Sequence, residues 1–418
     1  MRFVLIFSLL WIIHGIIAQP SPVLCGTYQK EQEAIQQNPD ILIKRKLIEA
    51  WTQDWISKSD KTFKPRSSLR IPVVVHVVWK DPEENIPDAQ IFSQIDALNE
   101  DYQGLNPFRH TIPPLFKDRE SNIGIEFCLA ITDPQGKPTT GIVRKQTRFG
   151  FVGSRKEEFG EGSVHYDIFG GSDAWDPAHY LNIWVAPIHN FLGYAAKPGA
   201  SSSAEDGVVV DPKYFGSIGN VEVPAHLGRT TTHEVGHYFN LEHLWGPSDF
   251  ADCSLDDFVE DTPPQAHPYY KCPTYPQFSC ETVDQFMNFM DYVSDACMTM
   301  FTEGQKQRMM AALLGPRSGL LESRGCENEP MIGSDVIIPD ITLFPNPAND
   351  YVALKALQKL SDRLTVQILN QQGKIVVEKI FTREYLAIID LEYLTSGLYF
   401  VRIIGRKKET IKKLFIHK

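Results

Sequence analysis

The chain has no excess of basic residues. Its 41 Lys and Arg stand against 52 Asp and Glu, a formal net charge of −11 over 418 residues. That balance lacks the cationic footprint of a nucleic-acid binder. No internal repeat and no low-complexity tract is found, which excludes solenoids and disordered scaffolds. Beyond the N-terminus no stretch is long and apolar enough to cross a bilayer, so no transmembrane span is expected. Histidine is sparse at 12 residues, yet three of them fall between His233 and His243.

What is present begins with Arg2 and an apolar stretch from Phe3 to about Ala18, followed by small and polar residues. A basic n-region, an apolar h-region and small flanking residues predict a signal peptide over 1–18. Export leads to an oxidising compartment, where the seven cysteines read as a disulfide framework with one left over. Cys253, Cys272, Cys280 and Cys297 cluster in a Pro-, Asp- and Tyr-rich stretch, Cys128 and Cys326 lie far apart, and spacing alone leaves the pairing open.

Residues 19–66 are expected to form a pro-segment, helical from Gln29 to about Ser59 and then loop-like from Lys61 to Arg70. A catalytic domain over 67–330 follows. It opens with a buried strand, Ile71–Trp79, and continues with an amphipathic helix from Pro87 to Tyr102 on which Ile91, Ile95, Leu98 and Tyr102 recur. Gly124–Leu129 and Tyr180–Val185 read as further strands. A linker at 331–340 leads to short strands at 341–418, such as Leu364–Leu369, Lys374–Val377 and Leu398–Ile404. Turn signals between them predict a small all-β sandwich. The fold class is therefore α+β followed by all-β.

His233 and His237 are four residues apart, so a helix presents both on one face, where they can hold Zn²⁺. Glu234 adjoins the first ligand and can act as general base on a metal-activated water. His243 can be the third ligand only if the helix stops after His237. Asn240 stands where glycine is usual for such a stop, and Asn tolerates the left-handed conformation required. Three neutral nitrogens leave an open coordination position, the mark of a catalytic site.

His233 to His243 resembles the extended zinc signature of the metzincins, and Asn288 to Tyr292 resembles their Met-turn, with Met290 beneath the metal. From Arg70 to Cys326 the chain is more closely similar to the pappalysin family. The quoted pieces are Ile71–Val78, Tyr180–Trp184, Leu192–Ala195, Asp206–Val209 and Asp291–Thr302. The resemblance implies a two-subdomain zincin, with a twisted mixed sheet and active-site helix above an irregular C-terminal subdomain. It implies endopeptidase action on proteins or peptides and a Tyr292 that stabilises the tetrahedral intermediate. It further implies an acidic residue, Asp295, in the pocket for the residue after the scissile bond, giving a preference for Arg or Lys there. Structural Ca²⁺ is implied in the loop containing Asp257 and Thr262. Disulfides Cys253–Cys280 and Cys272–Cys297 are likewise implied, leaving Cys128–Cys326 as the third pair. Cys25 then resembles a cysteine switch, a thiolate at the open metal position that keeps the precursor silent. The alternative for Cys25 is an incidental free thiol. A lipoprotein anchor is opposed by Leu24, which is too large for the position before such a cysteine.

The segment after residue 341 resembles the sorting domains of type IX secretion in gram-negative bacteria. The resemblance rests on Phe344–Pro347, Val366–Leu369 with Gly373, and Ser396–Tyr399. It implies a secreted or cell-surface destination reached through outer-membrane secretion machinery. The alternative for the whole chain is a surface binding protein on a non-catalytic zincin scaffold, against which the intact Glu234 argues.

Overall fold

The computed structural model describes residues 24–58, 69–154, 163–248 and 252–327, and 341–418 apart from 345, 350, 357–363, 382–385, 392 and 405–408. The expected signal peptide, the connecting segment at 59–68 with its Arg66, and the linker at 331–340 lie outside the described residues. Two compact units divide between Glu327 and Asn328.

The first unit opens with two helices, α1 (Thr27–Gln37) and α2 (Asp40–Lys58). A single helical run was expected here. Asn38 instead leaves the helix at φ −141°, immediately before Pro39. A residue preceding proline is driven out of the helical region, which accounts for the break.

The central strand is β1 (Leu69–Trp79), buried from Ile71 to Val78 on both faces, as its valine-rich run leads one to expect. Helix α3 (Asp88–Tyr102) buries Ile91, Ile95, Leu98 and Tyr102. Its Pro87 is the residue before the first turn rather than the first helical position. The strands β2 (Ile125–Leu129) and β3 (Ile142–Gln146) pair in parallel with successive halves of one edge of β1. On the other edge β4 (Leu181–Val185) pairs in parallel with β1. Beyond it β6 (Val208–Val210) is parallel to β4, while β5 (Gly193–Ala195) closes the sheet antiparallel to β6. The sheet is thus mixed, and its antiparallel edge, β5, lies against helix α4 (Arg229–Tyr238).

Past α4 the chain is irregular until α5 (Glu303–Leu314), which packs against α2. Disulfides replace secondary structure in holding this region. Cys253–Cys280 and Cys272–Cys297 staple it, and Cys128–Cys326 ties β2 to the end of the unit across a sequence separation of 198 residues.

The second unit has two antiparallel sheets. One has the order β10 (Ile375–Phe381), β9 (Leu364–Leu369), β12 (Gly397–Ile404), β13 (Glu409–Ile416). The other has the order β11 (Leu386–Asp390), β8 (Tyr351–Ala356), β7 (Ile341–Phe344). Val352, Ile368, Ile389, Val401 and Leu414 from both sheets share one apolar core, the arrangement of a β-sandwich.

Opening the longest covalent loop should cost the first unit about 2–5 kcal/mol. Replacing Cys128 and Cys326 together by serine should therefore lower its thermal midpoint by about 4–10 °C, measured by calorimetry on the oxidised protein.

Candidate metal and catalytic centre

Helix α4 is fixed at its start by buried polar groups. Gly228 precedes it at φ +82°, and one carboxylate oxygen of Asp295, Oδ2, accepts from the backbone N–H of Leu227 (2.7 Å) and Arg229 (3.2 Å). The Thr232 hydroxyl donates to Asp101 at 2.7 Å, and the Arg229 guanidinium pairs with the same carboxylate at 3.3 Å. These contacts lock α4 onto α3 and fix the start of the helix that carries His233 and His237.

The helix ends at Tyr238, and Asn240 adopts φ +72°. This left-handed residue turns the chain so that His243 returns to the two helical imidazoles. The three Nε2 atoms then form a triangle with sides of 3.1, 3.1 and 3.2 Å. Tetrahedral bonds of about 2.0–2.1 Å require nitrogen separations of about 3.3 Å, so the triangle has the size of a zinc seat.

Tautomers make the fit sharper. Nδ1 of His233 lies 2.7 Å from the Phe289 carbonyl, and Nδ1 of His237 lies 2.8 Å from the Leu241 carbonyl. A carbonyl can only accept, so both Nδ1 atoms carry their protons and both Nε2 atoms are bare lone pairs. Two bare lone pairs 3.1 Å apart repel unless a cation lies between them. Burial also holds all three imidazoles well below the usual histidine range, His233 at about 4. His243 is stacked on Trp245 with ring centroids 4.5 Å apart. The donor set therefore fits a divalent metal that accepts three imidazoles.

Met290 lies directly under α4. A Cβ built on Gly236 would approach Met290 Sδ to 2.6 Å, closer than real contacts allow. Glycine between the two helical histidines is what admits the methionine. Tyr292 is buried beside the triangle, its hydroxyl 3.2 Å from His243 Nε2.

The fourth side is covered by the pro-segment. Cys25 is buried, has no disulfide, and its Sγ lies with the three imidazole nitrogens in one group whose ligand atoms are all within 4.8 Å of one another. Gly26 N–H donates to the Gly193 carbonyl at 2.9 Å, and Leu192 N–H to the Leu24 carbonyl at 2.9 Å, so the segment runs parallel to β5. Glu234 is held on the same side. The Thr27 hydroxyl donates to its Oε2 at 2.8 Å and the Cys25 thiol at 3.4 Å. Burial pushes the Glu234 carboxyl up to about 8, against the pull of these two donors.

Asp257 and Thr262 also come together. The single hydroxyl of Thr262 lies 2.8 and 2.9 Å from the two Asp257 carboxylate oxygens and 2.9 Å from the Val259 carbonyl. One proton cannot serve three acceptors.

Several functional contacts carried no signal in the sequence. Thr27, Lys197, Arg45 and the carbonyls of Phe289 and Leu241 act through partners distant in the chain or through backbone alone.

Comparison with known proteins agrees with this geometry. Residues 165–314 match the family model described as pregnancy-associated plasma protein-A, and residues 342–417 match that of the secretion system C-terminal sorting domain. Promirolysin from Tannerella forsythia is 37% identical, aligned over 72% of this chain and 97% of that one, with a TM-score of 0.63. Mature mirolysin from the same organism, solved with a cleaved peptide, is 41% identical over 62% of this chain and 97% of that one, with a TM-score of 0.58. The chain belongs to the pappalysin family of metallopeptidases. An extracellular metalloprotease from Arthroderma otae is a further relative, 29% identical over 262 residues that cover 60% of this chain and 81% of the relative. As a pappalysin the protein is a metalloprotease, and its sorting domain implies export by type IX secretion.

The left-handed turn at Asn240 can be tested directly. Asn240→Val places a β-branched residue at φ +72° and should cost about 1–2 kcal/mol, lowering the thermal midpoint by about 2–6 °C. It should also weaken metal retention on dialysis. Asn240→Gly should keep the metal.

Proposed function

We propose that this chain is the latent precursor of an extracellular zinc endopeptidase that cuts before Arg or Lys. The reading rests on the buried triangle of Nε2 atoms from His233, His237 and His243, a donor set that suits zinc. When bound, the metal supplies Lewis-acid polarisation of the scissile carbonyl and of a water molecule. Glu234, next to the first ligand, takes the proton of the attacking water and passes it to the leaving nitrogen. Tyr292, whose hydroxyl already lies at the metal group, donates to the developing oxyanion.

Asp295 is the acidic group for a cationic side chain after the scissile bond. Its Oδ2 accepts from two backbone amides at the start of α4, and the same carboxylate would attract the substrate's cation. Cys25 is the latency ligand, its sulfur closing the fourth side of the metal group while Thr27 occupies the base. A signal peptide at 1–18 and gram-negative export through the sorting domain complete the reading. The non-catalytic scaffold is disfavoured because base and three ligands are assembled together.

Two experiments test this. Glu234→Gln in the matured enzyme should lower kcat/KM by about 10²–10⁴-fold with one metal still bound per chain. A peptide library cut by the unsubstituted enzyme should show Arg and Lys after the scissile bond, a preference that Asp295→Asn should abolish with cutting elsewhere retained. Library cleavage without a basic preference would overturn the assignment of Asp295.

The oxygen-rich contact of Thr262 with Asp257 and Val259 supports structural Ca²⁺ at that loop. EGTA should then lower the thermal midpoint, calcium should restore it, and Asp257→Asn should be insensitive to both. A midpoint indifferent to EGTA in the unsubstituted protein would refute calcium there.

A further inference from the structure

The pro-segment is also held far from Cys25, by ion pairs with buried cations of the catalytic unit. Glu31 on α1 pairs with Lys197 at 2.6 Å, and Lys197 is 2% exposed. Glu49 on α2 makes a bidentate pair with Arg308, both bonds 2.9 Å, and Arg308 is fully buried on α5. Lys197 also holds Glu242, but Arg308 receives its bidentate carboxylate only from the pro-segment, and its Nε has no hydrogen-bond partner among the described residues. Arg45 on α2 reads the zinc loop itself. Its guanidinium donates to Glu31 at 2.7 Å, Asn240 Oδ1 at 2.7 Å, the Pro198 carbonyl at 3.1 Å and Glu242 at 3.5 Å. Trp51 adds a bond from Nε1 to the Ala311 carbonyl at 3.1 Å.

Burial alone would raise the carboxyls of Glu31 and Glu49, yet Lys197 with Arg45 and Arg308, respectively, hold both below the ordinary range. These are favourable, desolvated pairs, of the kind whose truncation on one side leaves a buried charge exposed to loss. None of them involves the metal, and none depends on the peptide bonds of the connecting segment at 59–68.

We infer that the face formed by Lys197, Arg308 and the Asn240–Glu242 turn is a docking surface for the excised pro-segment. Cutting the connecting segment alone does not activate the enzyme; residues 24–58 stay bound as a non-covalent inhibitor, and full activity requires their own degradation or displacement. This rests on the latent-peptidase reading above but places retention in the ion pairs of α1, α2 and α5 rather than in Cys25.

The test uses the full chain with Glu234→Gln, which prevents self-cutting, and a foreign protease site introduced in the connecting segment. After complete cutting there, the N-terminal fragment should co-elute with the remainder in native size-exclusion chromatography. Glu31→Gln with Glu49→Gln should weaken retention at least about 30-fold, measured by dilution. Cys25→Ser should leave the fragment bound. Should the double variant fail to fold, Glu49→Gln alone carries the test, because Glu49 is 29% exposed and lies on the N-terminal helix α2, outside the sheet and the imidazole triangle. Release of the fragment from the unsubstituted chain, or retention unchanged by the Glu variants, would overturn the proposal and leave the cysteine reading standing. In a parallel chain with Glu234 intact, prompt activity of a nicked Cys25→Ser chain with its fragment still bound would support docking and confine the role of Cys25 to blocking the metal. Latency undiminished in that chain would defeat the cysteine reading and leave the docking surface intact.

Discussion

Three imidazole nitrogens held about 3.1 Å apart in a buried pocket are the constraint from which the rest of this unit follows. Lone pairs at that distance repel, and burial denies them water, so the protein must hold the arrangement open by structure until a cation closes it. It does so with backbone. The carbonyls of Phe289 and Leu241 fix two tautomers, and neither carbonyl belongs to α4. The loop that supplies Phe289 must therefore pass under the helix, and it can do so only because Gly236 offers no Cβ to Met290. The Met-turn is in this sense a consequence of fixing a histidine tautomer, and the glycine is a consequence of the Met-turn.

The pro-segment exploits the same enclosure. A site built to exclude water is one where a single thiol and a single hydroxyl can occupy every exposed function. Cys25 and Thr27 are two residues apart, and the bridge of Gly26 to Gly193 spaces them so that one faces the imidazoles and both reach Glu234. Gly26 is needed on the other side too, since a Cβ there would meet the Phe191 ring at 2.9 Å. The N-terminal segment thus pairs with the edge strand β5, whose backbone groups accept an extended peptide.

Much of this was legible in the sequence where the signal is local. The valine-rich run of β1, the 3.6-residue recurrence of α3 and the four-residue spacing of His233 and His237 each report on neighbours within a turn or a pleat. Asn240 was legible because few residue types accept a left-handed turn. The break at Asn38 was missed although Pro39 announced it, because helical periodicity on either side outweighed one proline. Thr27, Arg45, Glu49 and Lys197 were not legible at all. Apart from bonds within the N-terminal segment itself, their partners lie between 45 and 259 residues away, and a polar residue looks the same whether it faces water or a buried cation. Asp295 was placed by resemblance in a substrate pocket, but the structure adds a duty no pattern revealed, the capping of the Leu227 and Arg229 amides.

That second duty couples Asp295 to the helix that carries the first two histidines. A carboxylate that accepts from two backbone amides at a helix start stabilises that start and is itself held rigid. The same helix carries His233 one turn further on. The carboxylate is therefore oriented by the same helix that carries two of the three imidazoles, with little conformational freedom left to it. Burial raises the Asp295 carboxyl while the two amides and Arg229 lower it. The orientation of Asp295 and the placement of the His233 and His237 imidazoles are then set together, because a single helix start fixes both.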